Sequence, residues 1–178
     1  MTTENDTKLK ELILYLADRS SADDRFGAIK LNKLLFYADF LAYVYLGKSI
    51  TGQDYQVLDK GPAPRRLVPV REEMKANEEI AIRVADFGGY KQNRVVPLRD
   101  AKIDLFSAEE IALVDEIVGN LWGRNGKNLS DMSHKFAGWK LAKIGDEIPY
   151  SVALVGEREP TPDEIEYGKT LETMAQEF

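Results

Sequence analysis

This 178-residue sequence predicts a single, predominantly α-helical α+β domain with a small β-hairpin or short antiparallel sheet. Three observations carry that expectation. Apolar residues recur at helical spacing in several separate segments. Ile80, Ile82 and Val84 alternate with polar neighbours ahead of Gly88-Gly89 and a second strand-like run from Lys91 to Leu98, the pattern of a hairpin. No repeat, low-complexity linker or composition break divides the chain, and its length suits one domain. The domain is expected over residues 1–150, with an acidic C-terminal segment at 151–178 that either belongs to it or is appended.

Taken in order, Leu9, Leu12, Ile13 and Leu16 place a first helix over roughly 7–19, broken by Ser20-Ser21-Ala22-Asp23-Asp24. A second helix is expected from Ala28 to Leu46, with Gly47 as its stop. Lys30 and Lys33 give its start a wet side; from Leu34 onward it is apolar nearly all round, as in a central buried helix. Tyr55 to Leu58 reads as a short strand. The rigid corner Gly61-Pro62-Ala63-Pro64 follows, and Pro64 is suited to open a third helix running to Lys75, with Pro69 expected to kink or shorten it. Ser107-Ala108-Glu109-Glu110 is a capping box opening a helix with Ile111, Val114, Val118 and Leu121 on one face, ended by Gly123 and Gly126. Helical turns are expected over Leu129–Lys135 and from Trp139 to Ile144. Pro149 to Pro160 reads as a join, and Thr161-Pro162-Asp163-Glu164 starts a last helix over roughly 162–176.

Composition narrows the classes of function. Hydrophobic content of 44% and charged content of 30% are those of a globular protein. No signal pattern and no stretch of transmembrane length is recognised, so a cytoplasmic protein with no membrane partner is expected. The absence of cysteine fits a reducing compartment and removes thiol catalysis. With a single histidine, zinc sites built from several imidazole or thiolate ligands are excluded, no EF-hand spacing occurs, and no metal or cofactor is expected. The net charge of −6 is concentrated at the end, where residues 157–178 hold 2 basic and 7 acidic groups. That balance argues against nucleic-acid binding and is read first as a solvated helix face.

A few residues could carry chemistry. Asp39 is a carboxylate on an apolar helix, costly to bury unless paired. It reads as a structural pin, or as a general base or partner anchor. His134 follows Ser130, Asp131 and Ser133, but neighbours on one turn do not make a triad, and a histidine bonded to a loop backbone is the favoured reading. Trp139, together with Trp122 and Phe136, reads as core, with an interface anchor as the second reading. Arg65, Arg66 and Arg71 with Lys60 form the densest basic patch, suited to phosphate or an acidic partner, or to a solvated helix start. Gly88-Gly89 is a turn and not a phosphate loop, since a strand follows it. A small hydrolase using His134 and Asp39 stays open as an alternative of another class.

Three blocks occur in a recognisable order: KLNKLLFYADFLAYVYLGKSITG, then DYQVLDKGPAPRRL, then, after the Ser107 helix, LSDMSHKFAGWKLAKIGDEIPY. Over roughly residues 8–150 the chain resembles the Panacea domain, the antitoxin family that includes SocA-like and phage-associated GepA-type proteins. One departure is the corner, where Ala63 follows Gly61-Pro62 in place of a branched apolar residue. The resemblance implies a non-enzymatic antitoxin that binds a cognate toxin encoded by the adjacent gene. Its other form is an adaptor that delivers the toxin to a cytosolic ATP-dependent protease. Tyr37, Asp39, Arg65, Arg66, His134 and Trp139 are the residues expected at such a partner interface, with Gly47, Gly61, Pro62 and Pro149 as structural positions.

Overall fold

In a computed structural model, the structure describes residues 3–87, 89–133, 142–155, 161–163 and 165–166. The architecture is predominantly helical with two small antiparallel sheets, as the sequence predicts.

Helix α1 covers Glu4–Arg19 and begins earlier than periodicity suggests, because the Thr3 hydroxyl accepts from the Asp6 amide at 3.1 Å and caps its start. Helix α2 covers Ala28–Leu46 and ends at Gly47, whose φ of 78° is the left-handed conformation that terminates helices. Both match the sequence expectation in their packed faces, with one correction. Lys30 and Lys33 are not a wet side. They are 2% and 1% exposed. The reason was readable: the same side of the helix continues through Tyr37 and Leu41, so no hydrophilic stripe runs along it.

Strand β1, Tyr55–Gln56, is central in a three-stranded sheet, pairing with β2, Ala63–Pro64, on one edge and with β5, Glu147–Ile148, on the other. Pro64 therefore sits in a strand, and helix α3, Leu67–Ala76, starts after it. Pro69 neither kinks nor shortens α3. It occupies the first turn, where the backbone has no intrahelical acceptor and a missing N–H costs nothing. Strands β3, Ile80–Phe87, and β4, Tyr90–Pro97, form the expected hairpin, with Ile82 opposite Val95 and Phe87 opposite Tyr90. The Ser107 capping box is present in both halves and opens α4, Ala108–Leu121. Gly126 does not end that helix but begins α5, Gly126–Ser133. Residues 142–144 of the expected turn from Trp139 to Ile144 are not helical, and its residues 139–141 and most of the last helix lie outside the described residues. At its start the Ile165 amide donates to the Thr161 carbonyl at 3.0 Å, as a helix requires.

The main core joins α1, α2, α3, α4 and the hairpin through residues such as Leu12, Leu34, Val70, Ile80 and Val114. A second cluster gathers Phe36, Phe40, Tyr55, Val57 and Ile148, with Tyr150, Val152 and Ala153 packed against it. Aromatic edges meet faces there: Phe40 and Tyr55 are 5.1 Å apart at 90°, and Tyr150 stacks on Tyr43 at 5.7 Å. Asp39 joins this cluster to α2. Its carboxylate is fully buried and accepts from the Thr51 amide at 2.7 Å, the Thr51 hydroxyl at 2.5 Å and the Tyr55 hydroxyl at 2.7 Å. Burial pushes its pKa up, and the Thr51 and Tyr55 donors pull against that.

Replacing Asp39 with alanine strands the buried Thr51 amide and hydroxyl, while the Tyr55 hydroxyl keeps the Leu35 carbonyl at 2.9 Å, so Asp39→Ala is expected to destabilise the fold by about 3 kcal/mol, and Asp39→Asn by less because it keeps acceptor capacity. Urea unfolding of both variants checks this; equal stability of Asp39→Ala and the parent would refute the pin.

Candidate functional site

The three sequence blocks meet at the Lys60-Gly61 corner. From the first block, Lys33 on α2 sends its ammonium to the Lys60 carbonyl. From the third, the Ser130 hydroxyl on α5 donates to the same carbonyl at 3.2 Å, and the Ser133 hydroxyl donates back to the Ser130 carbonyl at 2.9 Å. The second block supplies the corner itself, closed by the Gly61 amide donating to the Leu58 carbonyl at 2.8 Å.

Gly61 is required twice over. Its φ is 99°, and a Cβ there would collide with Lys33 Nζ and lie 2.5 Å from Ser133 Oγ. Pro62 beside it is buried. Among the described residues no carboxylate faces Lys33, and burial pulls its pKa down to about 8. A carbonyl dipole is thus asked to hold a buried ammonium.

A second buried lysine lies one turn earlier. Lys30 pairs with Asp23 and donates to the Leu121 carbonyl at 2.6 Å and the Arg124 carbonyl at 3.3 Å. Asp23 also accepts from the Gly123 amide at 3.3 Å and the Arg25 amide at 2.9 Å. Sequence reasoning missed both lysines and Asp23 as structural residues. The available signal was the apolar continuation of the lysine side.

The expected partner-binding residues separate. Asp39 faces the interior, bonded on all sides, and offers no surface to a partner. Arg66 lies at the surface but is tied to Asp6 at 2.9 Å, holding that carboxyl below its ordinary range, with Gln53 adding a bond at 3.1 Å. Arg65 is exposed and donates to the Gly145 carbonyl at 3.2 Å, bracing the corner against the loop before β5. Tyr37 is half-buried; burial raises its hydroxyl pKa and the nearby Arg124 opposes the rise. His134 and Trp139 lie outside the described residues. Trp122, read as core, is instead 46% exposed as the residue that closes α4. It stands where the chain turns from α4 toward α5. Among the described residues no group of three or more His, Asp or Glu side chains is placed to hold a metal ion, and no helix is long and apolar enough to cross a membrane.

Two measurements follow. Gly61→Ala is expected to cost about 2 kcal/mol or more, through backbone strain together with displaced Lys33 and Ser133, while Gly47→Ala, with open space around it, costs about 1 kcal/mol. Thermal denaturation of the two variants compares them. For Lys33, the unfolded chain holds its proton to a higher pH than the folded chain, so stability rises as pH climbs through about 8, until ionising tyrosines reverse the trend. Lys33→Met is expected to flatten that rise in denaturant titrations between pH 7 and pH 9.5, values chosen to bracket the depressed pKa at about 8.

No curated protein and no solved structure matches the chain. The family match begins within the first block and ends before Ile148-Pro149-Tyr150, so it is shorter than the span over which the blocks recur. Residues 31–140, more than half of the chain and inclusive of the whole Lys33–Gly61–Ser133 corner, match the family described as antitoxin SocA-like, Panacea domain, and the chain belongs to that family.

Proposed function

We propose that the protein neutralises a cognate toxin, encoded by the adjacent gene, through direct and non-catalytic binding. The family match over residues 31–140 carries this reading. The geometry supports it in a specific way. Charges that sequence reasoning could offer to a reaction are spent on internal bonds: Asp39 on Thr51 and Tyr55, Lys30 on Asp23, Lys33 on the Lys60 carbonyl. Each of these tie points holds a surface segment in place, which is what a rigid binding module needs.

Tyr37 and Arg65 are the anchors we assign from the described surface, with His134 and Trp139 as their partners from the third block. Tyrosine, tryptophan and arginine are the residues that dominate interface energetics. Arg66 contributes by holding Asp6 and the start of α3.

Co-expression tests the proposal. The neighbouring open reading frame alone is expected to stop growth, and this chain to restore it while co-purifying with the toxin in a fixed stoichiometry. A harmless neighbour would sink the reading. Rescue accompanied by toxin loss that depends on an ATP-dependent protease would assign the adaptor mechanism in its place. Arg65→Ala is expected to weaken co-purification by about tenfold with the fold intact.

A further inference from the structure

A groove of about 650 Å³ opens where the start of α2, the start of α5 and the tip of the hairpin come together beside Lys60. That volume lies within the range of small-molecule sites. Five cationic residues line it: Lys30, bonded inward to Asp23, and four more from separate segments, Arg25 before α2, Lys60 before the corner, Lys91 on β4 and Lys127 on α5. Asp24 is the only acidic residue among those lining it. In a chain of net charge −6, these cations around one concavity run against the average surface.

Part of that charge has no ion pair among the described residues. Lys60 and Lys91 have no ion pair there, and Lys127 reaches only Asp131, at 4.0 Å and 87% exposed. The walls stand close because two glycines permit it. A Cβ on Gly27 would lie 2.5 Å from Gln92 Cγ, and one on Gly126 would lie 3.1 Å from Ile29 Cγ2. Asn93 and Asn125 add amide groups, and Tyr90, 65% exposed, presents an aromatic ring at the rim.

We propose that this groove binds a small phosphorylated ligand of nucleotide size, its phosphates held by Arg25, Lys60, Lys91 and Lys127 and its flat group against Tyr90. Phosphate is the chemistry that fits, because it places several negative charges in one compact volume where separate cations converge. An acidic peptide spreads its charges along an extended track, whereas these cations line a single concavity. The proposal is independent of toxin binding: a chain that neutralises no toxin could still bind this ligand, and the reverse.

Calorimetric titration of the full chain with inorganic pyrophosphate and with ATP, at physiological ionic strength, tests it. Both are expected to bind saturably at one site, ATP more tightly. Lys60→Glu combined with Lys91→Glu is expected to weaken both by about tenfold or more. Tyr90→Ala is expected to bring ATP down to the level of pyrophosphate. Lys75→Glu, at a distant lysine paired with Glu72, leaves both unchanged and controls for overall charge. Lys91→Glu alone, at an exposed strand position, guards against a double variant that fails to fold and is expected to weaken both ligands in the same direction. Absence of saturable binding, equal loss in Lys75→Glu, or displacement of ATP by an oligoglutamate peptide at equal concentration would overturn the proposal.

Discussion

Helix α2 carries three charges into the interior, and each must find a partner or the helix cannot be enclosed. Lys30 recruits Asp23 and the end of α4. Lys33 recruits the Lys60 carbonyl. Asp39 recruits Thr51 and Tyr55. The apolar residues between them would pack against any greasy surface, since hydrophobic attraction has no direction. The three charges are selective. They determine which loop closes over which turn of the helix, and so they place the α1–α2 loop, the Gly61 corner and the small sheet. Their net contribution to stability is small or negative; what they supply here is the arrangement.

That arrangement explains why the corner tolerates so little. Gly61 stands between a buried ammonium and a buried hydroxyl with a positive φ, so its side-chain space is already occupied. Lys60 contributes its carbonyl inward while its residue lines the basic groove. One peptide unit thus couples the interior of the antitoxin domain to its surface. Arg65, a few residues on, reaches the loop before β5 and ties the same corner to the far end of the domain.

Much of the local structure was legible. The extent of α2, the Gly47 stop, the Ser107 capping box and the presence of the hairpin all rest on interactions between near neighbours, which a linear pattern records. The misses share a different origin. Lysine has the same letter in water and in a core, and the partners of Lys30 and Lys33 lie far along the chain. Pro69 was misjudged because the start of α3 depends on Pro64 joining a strand, which is a tertiary event. Trp122 was taken inward on the strength of its size, although its neighbours place it at a turn. Asp39 was legible as a structural carboxylate, but its partners were not, because Thr51 and Tyr55 carry no mark of the bond they make.

Strand β1 is held on both edges, by Ala63–Pro64 close by and by Glu147–Ile148 much later in the sequence. Chains emerge from the ribosome from the N-terminus, so the centre of this sheet waits with one edge unpaired while everything in between is synthesised. During that interval Tyr55 and Phe40 lack the Ile148 and Tyr150 side chains that cover them. An open strand edge beside uncovered aromatic rings is a site for unwanted pairing. Translation that stops short of residue 147 therefore leaves a molecule with its spine built and its seam open. Completion of the sheet waits until Glu147 and Ile148 have been synthesised and can reach Tyr55 and Gln56.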